Sequence, residues 1–177
     1  RTGDRTGRSP KDKHLEDTPA VHDDIWWGPV NQPITPEQFE NAERIARDRL
    51  SAREELFVFD GFVGADQTHR LRVTTYAELA WHALFVRTLF IRPTPDELQR
   101  FEADWTIYNC GGHKLTAKEQ KELGVDSPIL VAQSLEKKTV VIFGTEYAGE
   151  MKKSIFFAMN YDMPAVGVLP MHCSANV

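Results

Sequence analysis

The chain has 177 residues, 41% of them hydrophobic and 10% aromatic, enough to bury one core and form one domain, or one domain of something larger. A formal charge of −5 and a pI near 5.7 exclude nucleic acid as the principal partner, because phosphate binding needs a net basic face. The longest apolar stretch, 79–91, is interrupted by His82 and Arg87 and is too short to span a bilayer; a cytoplasmic protein with no membrane partner is expected.

Residues 1–24 are polar and charged and carry no targeting pattern. Thr35-Pro36-Glu37-Gln38 is a capping box with Pro at the first helical position, so a helix is predicted from there to about residue 52, with Phe39, Ala42, Ile45, Ala46 and Leu50 on its apolar face. Strands are predicted at 56–59 and 71–74, separated by a turn region over 61–66. A largely buried, aromatic-rich helix is predicted over 76–90, and Thr94-Pro95-Asp96-Glu97 opens a short one. Further strands are predicted at 106–108, 128–131 and 139–143, then a helix over 149–161 and a last strand over 165–169. Strands and helices alternate irregularly, so the expected class is α/β, a mixed β-sheet with covering helices. The abrupt start and end suggest a segment of a longer polypeptide.

Two groups of residues carry chemistry. Gly7-Arg8-Ser9-Pro10-Lys11-Asp12-Lys13 is a basic loop in which Arg8 can present a planar fork to a carboxylate; read alone, it is as readily a solvated arm. Gly144-Thr145-Glu146-Tyr147-Ala148-Gly149-Glu150-Met151-Lys152-Lys153 reads as a strand-to-helix turn that places two lysines at the first turn of a helix, where both can reach an anion. A neutral lysine nitrogen can ligate a metal while a neighbouring ammonium stabilises negative charge. His172, after an apolar run, suits a borderline divalent metal such as manganese, though a half-buried core role is the commoner one. Tyr147 can orient substrate through its hydroxyl or simply pack. His82 reads as structural. Trp26-Trp27 reads as packing under a loop in preference to an aromatic wall. Cys110 and Cys173 form no C-x-x-C, so two reduced thiols are favoured over a disulfide, and no second base marks Cys173 as a nucleophile. No stretch matches the nucleotide-cradling pattern G-x-x-x-x-G-K-[ST].

Thr6-Gly7-Arg8-Ser9-Pro10-Lys11-Asp12-Lys13, Ile25-Trp26-Trp27-Gly28-Pro29-Val30-Asn31, Trp81-His82-Ala83-Leu84-Phe85, the Gly144–Lys153 block and Met171-His172-Cys173-Ser174-Ala175-Asn176 resemble, in order, the motifs of ATP-dependent phosphoenolpyruvate carboxykinase. The resemblance covers nearly the whole chain. It implies the N-terminal, substrate-side domain of that fold and conversion of oxaloacetate and ATP to phosphoenolpyruvate, ADP and carbon dioxide in gluconeogenesis. It further implies that Arg8 grips the substrate carboxylate and that Tyr147 contacts substrate or departing carbon dioxide. Lys152 would stabilise enolate and phosphoryl charge. Lys153 would reach the substrate and, with His172, would ligate manganese and contribute to the ATP site, magnesium accompanying ATP. In that family the P-loop, an aspartate metal ligand, the nucleotide-binding Lys and Thr and a phosphate-contacting Arg follow the segment matching Val177. Residues 1–177 are therefore expected to be a single, partial domain lacking the ATP domain and inactive alone. The alternative is a truncated non-catalytic domain that binds carboxylate or metal only. The motifs match the ATP-using class better than the GTP-using one, and no function is assigned to 110–127.

Overall fold

Seven strands share one mixed sheet in the computed structural model, which describes residues 3–173. They are β1 (Lys13–Glu16), β2 (Gln32–Ile34), β3 (Phe57–Val63), β4 (Leu71–Ala77), β5 (Trp105–Cys110), β6 (Leu130–Ser134) and β7 (Thr139–Phe143), in the sheet order β2-β1-β6-β7-β5-β4-β3. β3/β4 and β6/β7 pair antiparallel, and the other neighbours run parallel. Among the described residues there are five α-helices: α1 (Pro36–Ser51), α2 (Ala80–Leu89), α3 (Pro95–Leu98), α4 (Ala117–Leu123) and α5 (Gly149–Asp162). No described helix is long and apolar enough to cross a membrane.

The pleat sorts the core into two layers. On β7, Val140 and Ile142 pack with Val86 of α2 and Met151, Ile155 and Ala158 of α5. The alternate residues Val141 and Phe143 pack with Phe39, Ala42, Ala46 and Leu50 of α1 and Leu123 of α4. With helices on both faces, β6 and β7 are buried at every position, which is why 140–143 reads as an unbroken apolar run. The expected mixed sheet with covering helices is what forms.

Several elements depart from the sequence expectation. β3 runs through Gly61 to Val63, so the hairpin turn begins at Gly64, whose φ of +103° suits glycine. Residues 76–77 belong to β4, and α2 starts only at Ala80; of its residues just His82 and Val86 are buried, while Trp81, Leu84 and Leu89 lie at the surface. No strand forms at 165–169. A 3-10 turn spans Pro164–Val166 and closes on Gly167 at φ +74°, a path that Pro and a left-handed Gly impose. Trp26 does not pack under a loop: it is 92% exposed, whereas the Trp27 indole N–H donates to the His22 carbonyl at 2.9 Å. β1, β2 and α4 had no counterpart among the predicted elements.

Candidate active site

The turn between β7 and α5 is built from tight backbone approaches. Gly144 sits at φ +72°, and a Cβ there would lie 2.4 Å from the Pro128 carbonyl oxygen. Thr145 is buried, and its hydroxyl accepts from the Tyr147 amide at 3.2 Å. The Tyr147 ring then folds over Gly149: a Cβ on that glycine would stand 2.5 Å from the ring edge and 3.0 Å from the hydroxyl. From beneath, the fully buried His82 bonds through Nε2 to the Glu146 carbonyl at 2.9 Å. A carbonyl only accepts, so this nitrogen carries the proton, and burial pushes the ring's pKa down, keeping it neutral. His82 is structural, as its apolar setting suggested, but what it supports is the peptide that leads into Tyr147.

Glu150, at the start of α5, joins this turn to the other motif. Its carboxylate is buried; Oε1 accepts from the Ser9 amide at 2.6 Å, 141 residues away, and Oε2 lies 3.8 Å from Arg8 Nε. Burial raises its pKa, against the Ser9 hydrogen bond and the charge of Arg8, which lower it. The result is a cleft of about 230 Å³ whose polar walls are Arg8, Lys13, Glu150, Lys153, Ser154 and Asn160. Arg8 and Lys153, both predicted from sequence, thus face one space.

Lys152 turns away, as adjacent helical residues must at about 100° per residue. It lines a second hollow of about 360 Å³ with His172, among Phe62, Phe90, Met159 and Met171. Phe156 walls both hollows. Its ring carries His172 edge-on, centroids 5.6 Å apart at 79°, and lies 5.4 Å from Lys153 Nζ. His172 itself is exposed, and Tyr147 lies outside both hollows against the start of α5. The Ser174-Ala175-Asn176 part of the last motif falls outside the described residues. Among the described residues no group of three or more His, Cys, Asp or Glu side chains gathers as a metal cluster. Cys110 and Cys173 are both free; burial pushes the Cys110 thiol up to about 12, which keeps it un-ionised and inert.

Sequence reasoning passed over Lys13 and Glu150 as site residues. Both stand inside quoted motifs, but nothing in local spacing shows that their side chains meet across the fold.

A sequence profile described as phosphoenolpyruvate carboxykinase matches residues 1–177. A Brevibacillus brevis protein named phosphoenolpyruvate carboxykinase (ATP) is 52% identical over 176 residues, which is 99% of this chain and 33% of that protein. Proteins of the same name from Geobacillus kaustophilus and Bacillus subtilis are 49% and 48% identical over the same share of each chain. The chain spans about a third of the length of these curated relatives.

Proposed function

The chain belongs to the ATP-dependent phosphoenolpyruvate carboxykinase family, and from that premise we propose that it is the substrate-side part of an enzyme converting oxaloacetate and ATP to phosphoenolpyruvate, ADP and carbon dioxide. The observation that carries this reading is the cleft in which Glu150 holds the Arg8 arm against the helix bearing Lys153. In this reading residues 1–177 are one domain of a cytoplasmic, gluconeogenic enzyme, and the P-loop that binds ATP lies in the two-thirds of the relatives' length that this chain does not span.

Each residue has a chemical task in this scheme. Arg8 forks one substrate carboxylate, fixing the molecule for reaction. Tyr147, which stands outside both hollows with its ring over Gly149, would swing its hydroxyl toward the carboxylate that leaves. Carbon–carbon cleavage sends the electron pair into the neighbouring carbonyl, giving an enolate whose oxygen then attacks the γ-phosphorus of ATP and displaces ADP. The Lys152 ammonium offsets the charge on the enolate and on the phosphoryl group in transfer. Lys153 and His172, which flank the Phe156 ring from different hollows, would offer an amine and an imidazole nitrogen to manganese once brought to one point, and would contribute to the ATP site; two donors leave the shell open, and a carboxylate from outside the chain would complete it. When bound, such a cation supplies Lewis-acid stabilisation of enolate and phosphoryl oxygens, with magnesium accompanying ATP.

The test is phosphoenolpyruvate formation from oxaloacetate and ATP in the presence of manganese, measured on the full-length protein that carries this chain. ATP-dependent product that disappears in Arg8→Gln and Lys152→Met supports the reading. A folded full-length protein that binds a dicarboxylate or manganese yet yields no product would leave a non-catalytic binding domain instead.

A further inference from the structure

Lys13 stands at the first residue of β1 with its side chain half-buried in the cleft wall. Its Nζ donates to Asn31 Oδ1 at 2.9 Å and lies 3.5 Å from the centre of the Phe157 ring. Those contacts orient the ammonium without neutralising it: among the described residues Lys13 makes no ion pair. The nearby carboxylate, Glu150, is committed to the Ser9 amide and to Arg8. Three cations, Arg8, Lys13 and Lys153, therefore face one carboxylate, and the cleft carries an excess of about two positive charges; where Lys153 serves as the neutral amine of a metal site, the charge of the metal would take its place. A charge of that size matches a dianion. At about 230 Å³ the space is smaller than the roughly 300–1,000 Å³ of a drug-sized pocket and suits a small acid.

A half-buried ammonium with no ion-pair partner is costly to hold. Burial, and after it the charge of Arg8, lowers the pKa of Lys13 to about 8. Bound anion would relieve that cost and use the N–H donors that Asn31 leaves free. Arg8 can fork only one carboxylate at a time, so a second anionic group needs another donor.

We propose that Lys13 is a substrate-contacting residue, holding the second negative group of the dicarboxylate whose first carboxylate Arg8 grips. The assignment rests on the carboxykinase reading for its substrate, and on the cleft alone for its charge. It gives selectivity for a dicarboxylate over a monocarboxylate, which Arg8 alone cannot supply.

The experiment compares Lys13→Met, which keeps the stem on Phe157, with Lys13→Arg, which keeps the charge, in the full-length protein. Two quantities are read: KM for oxaloacetate, and the dissociation constants of malonate and acetate. Lys13→Met should raise KM and weaken malonate by roughly 10- to 100-fold, the value of one charged hydrogen bond, and acetate by less than about 3-fold. Lys13→Arg should recover most of the loss. Equal weakening of malonate and acetate would mean a purely structural lysine and overturn the proposal, as would an unchanged KM. If the wild-type protein forms no phosphoenolpyruvate yet shows the malonate effect, the carboxykinase reading fails while the role of Lys13 stands.

Discussion

A single carbon added at Gly149 would stand 2.5 Å from the Tyr147 ring, and the group in its way is the movable end of a side chain. Gly149→Ala should therefore fold well, regaining up to about 1 kcal/mol of helix propensity, while it dislodges Tyr147 and lowers kcat/KM by on the order of 10-fold or more. Gly144→Ala is the contrasting case. It meets a backbone oxygen at 2.4 Å and a φ of +72°, so about 1–3 kcal/mol of stability should be lost. Urea unfolding beside steady-state kinetics separates the two, and equal stability losses would count against the Tyr147 placement. Lys13 makes a pH prediction. Its folded-state pKa, about 8, lies below the ordinary value of 10.5, so below pH 8 the folded chain carries the buried charge at a cost. Between about 8 and 10.5 the folded form sheds a proton that the unfolded form keeps, and stability rises with pH through that window. Lys13→Met should be more stable than wild type at pH 7, and the difference should shrink as pH approaches 10.5. A difference that does not vary between pH 7 and 10 would contradict this.

Elements were legible where local chemistry and tertiary demand agreed. The Thr35 and Thr94 capping boxes form as read, each hydroxyl accepting from the amide three residues on. β7 forms over the predicted residues because both its faces are covered. The α4 box, Thr116 with Glu119 and a left-handed Gly124 at its end, carries the same signal, although no helix was predicted there. β1 and β2 could not be read this way. Lys13-His14-Leu15-Glu16 has no apolar alternation, and β2 contains Pro33, tolerable because β2 lies at the sheet edge. The 165–169 run looked like a strand by composition, but Pro164 and Gly167 decide its path. For the site, the strand-to-helix turn was visible in the glycines that bracket Tyr147. That Lys152 and Lys153 serve different hollows follows from helical geometry once the helix start is known. The meeting of Arg8 with Glu150 joins residues 142 apart in number and is not a property of either motif alone.

At the scale of the whole molecule, the sheet sets β1, near the start of the chain, between β2 and the sequence-distant β6. β1 lies parallel to β6, and the arm from Arg8 to Glu16 is secured at both ends. At the far end buried Glu16 accepts from the Ser134 hydroxyl and pairs with Lys137 at 3.2 Å; at the near end Ser9 is held by Glu150. The far fastening and the flanking strands belong to the core, whereas the near one belongs to the cleft. Glu150→Ala should thus open the arm locally and leave the sheet intact. The Ser9 amide, deprived of its only acceptor among the described residues, should lose hydrogen-exchange protection, while Leu15 and Glu16 amides in β1 keep theirs. An unpartnered buried N–H costs about 1–3 kcal/mol, so the global loss should stay within that range. Because Arg8 rides on the same arm, kcat/KM should fall on the order of 100-fold, the effect of misplacing a positioning group by about 1 Å. Protection lost along all of β1 would mean that Glu150 holds the sheet and not the arm. Protection retained at Ser9 would mean that the arm stays docked without Glu150, and the cleft would then owe its shape to β1 alone.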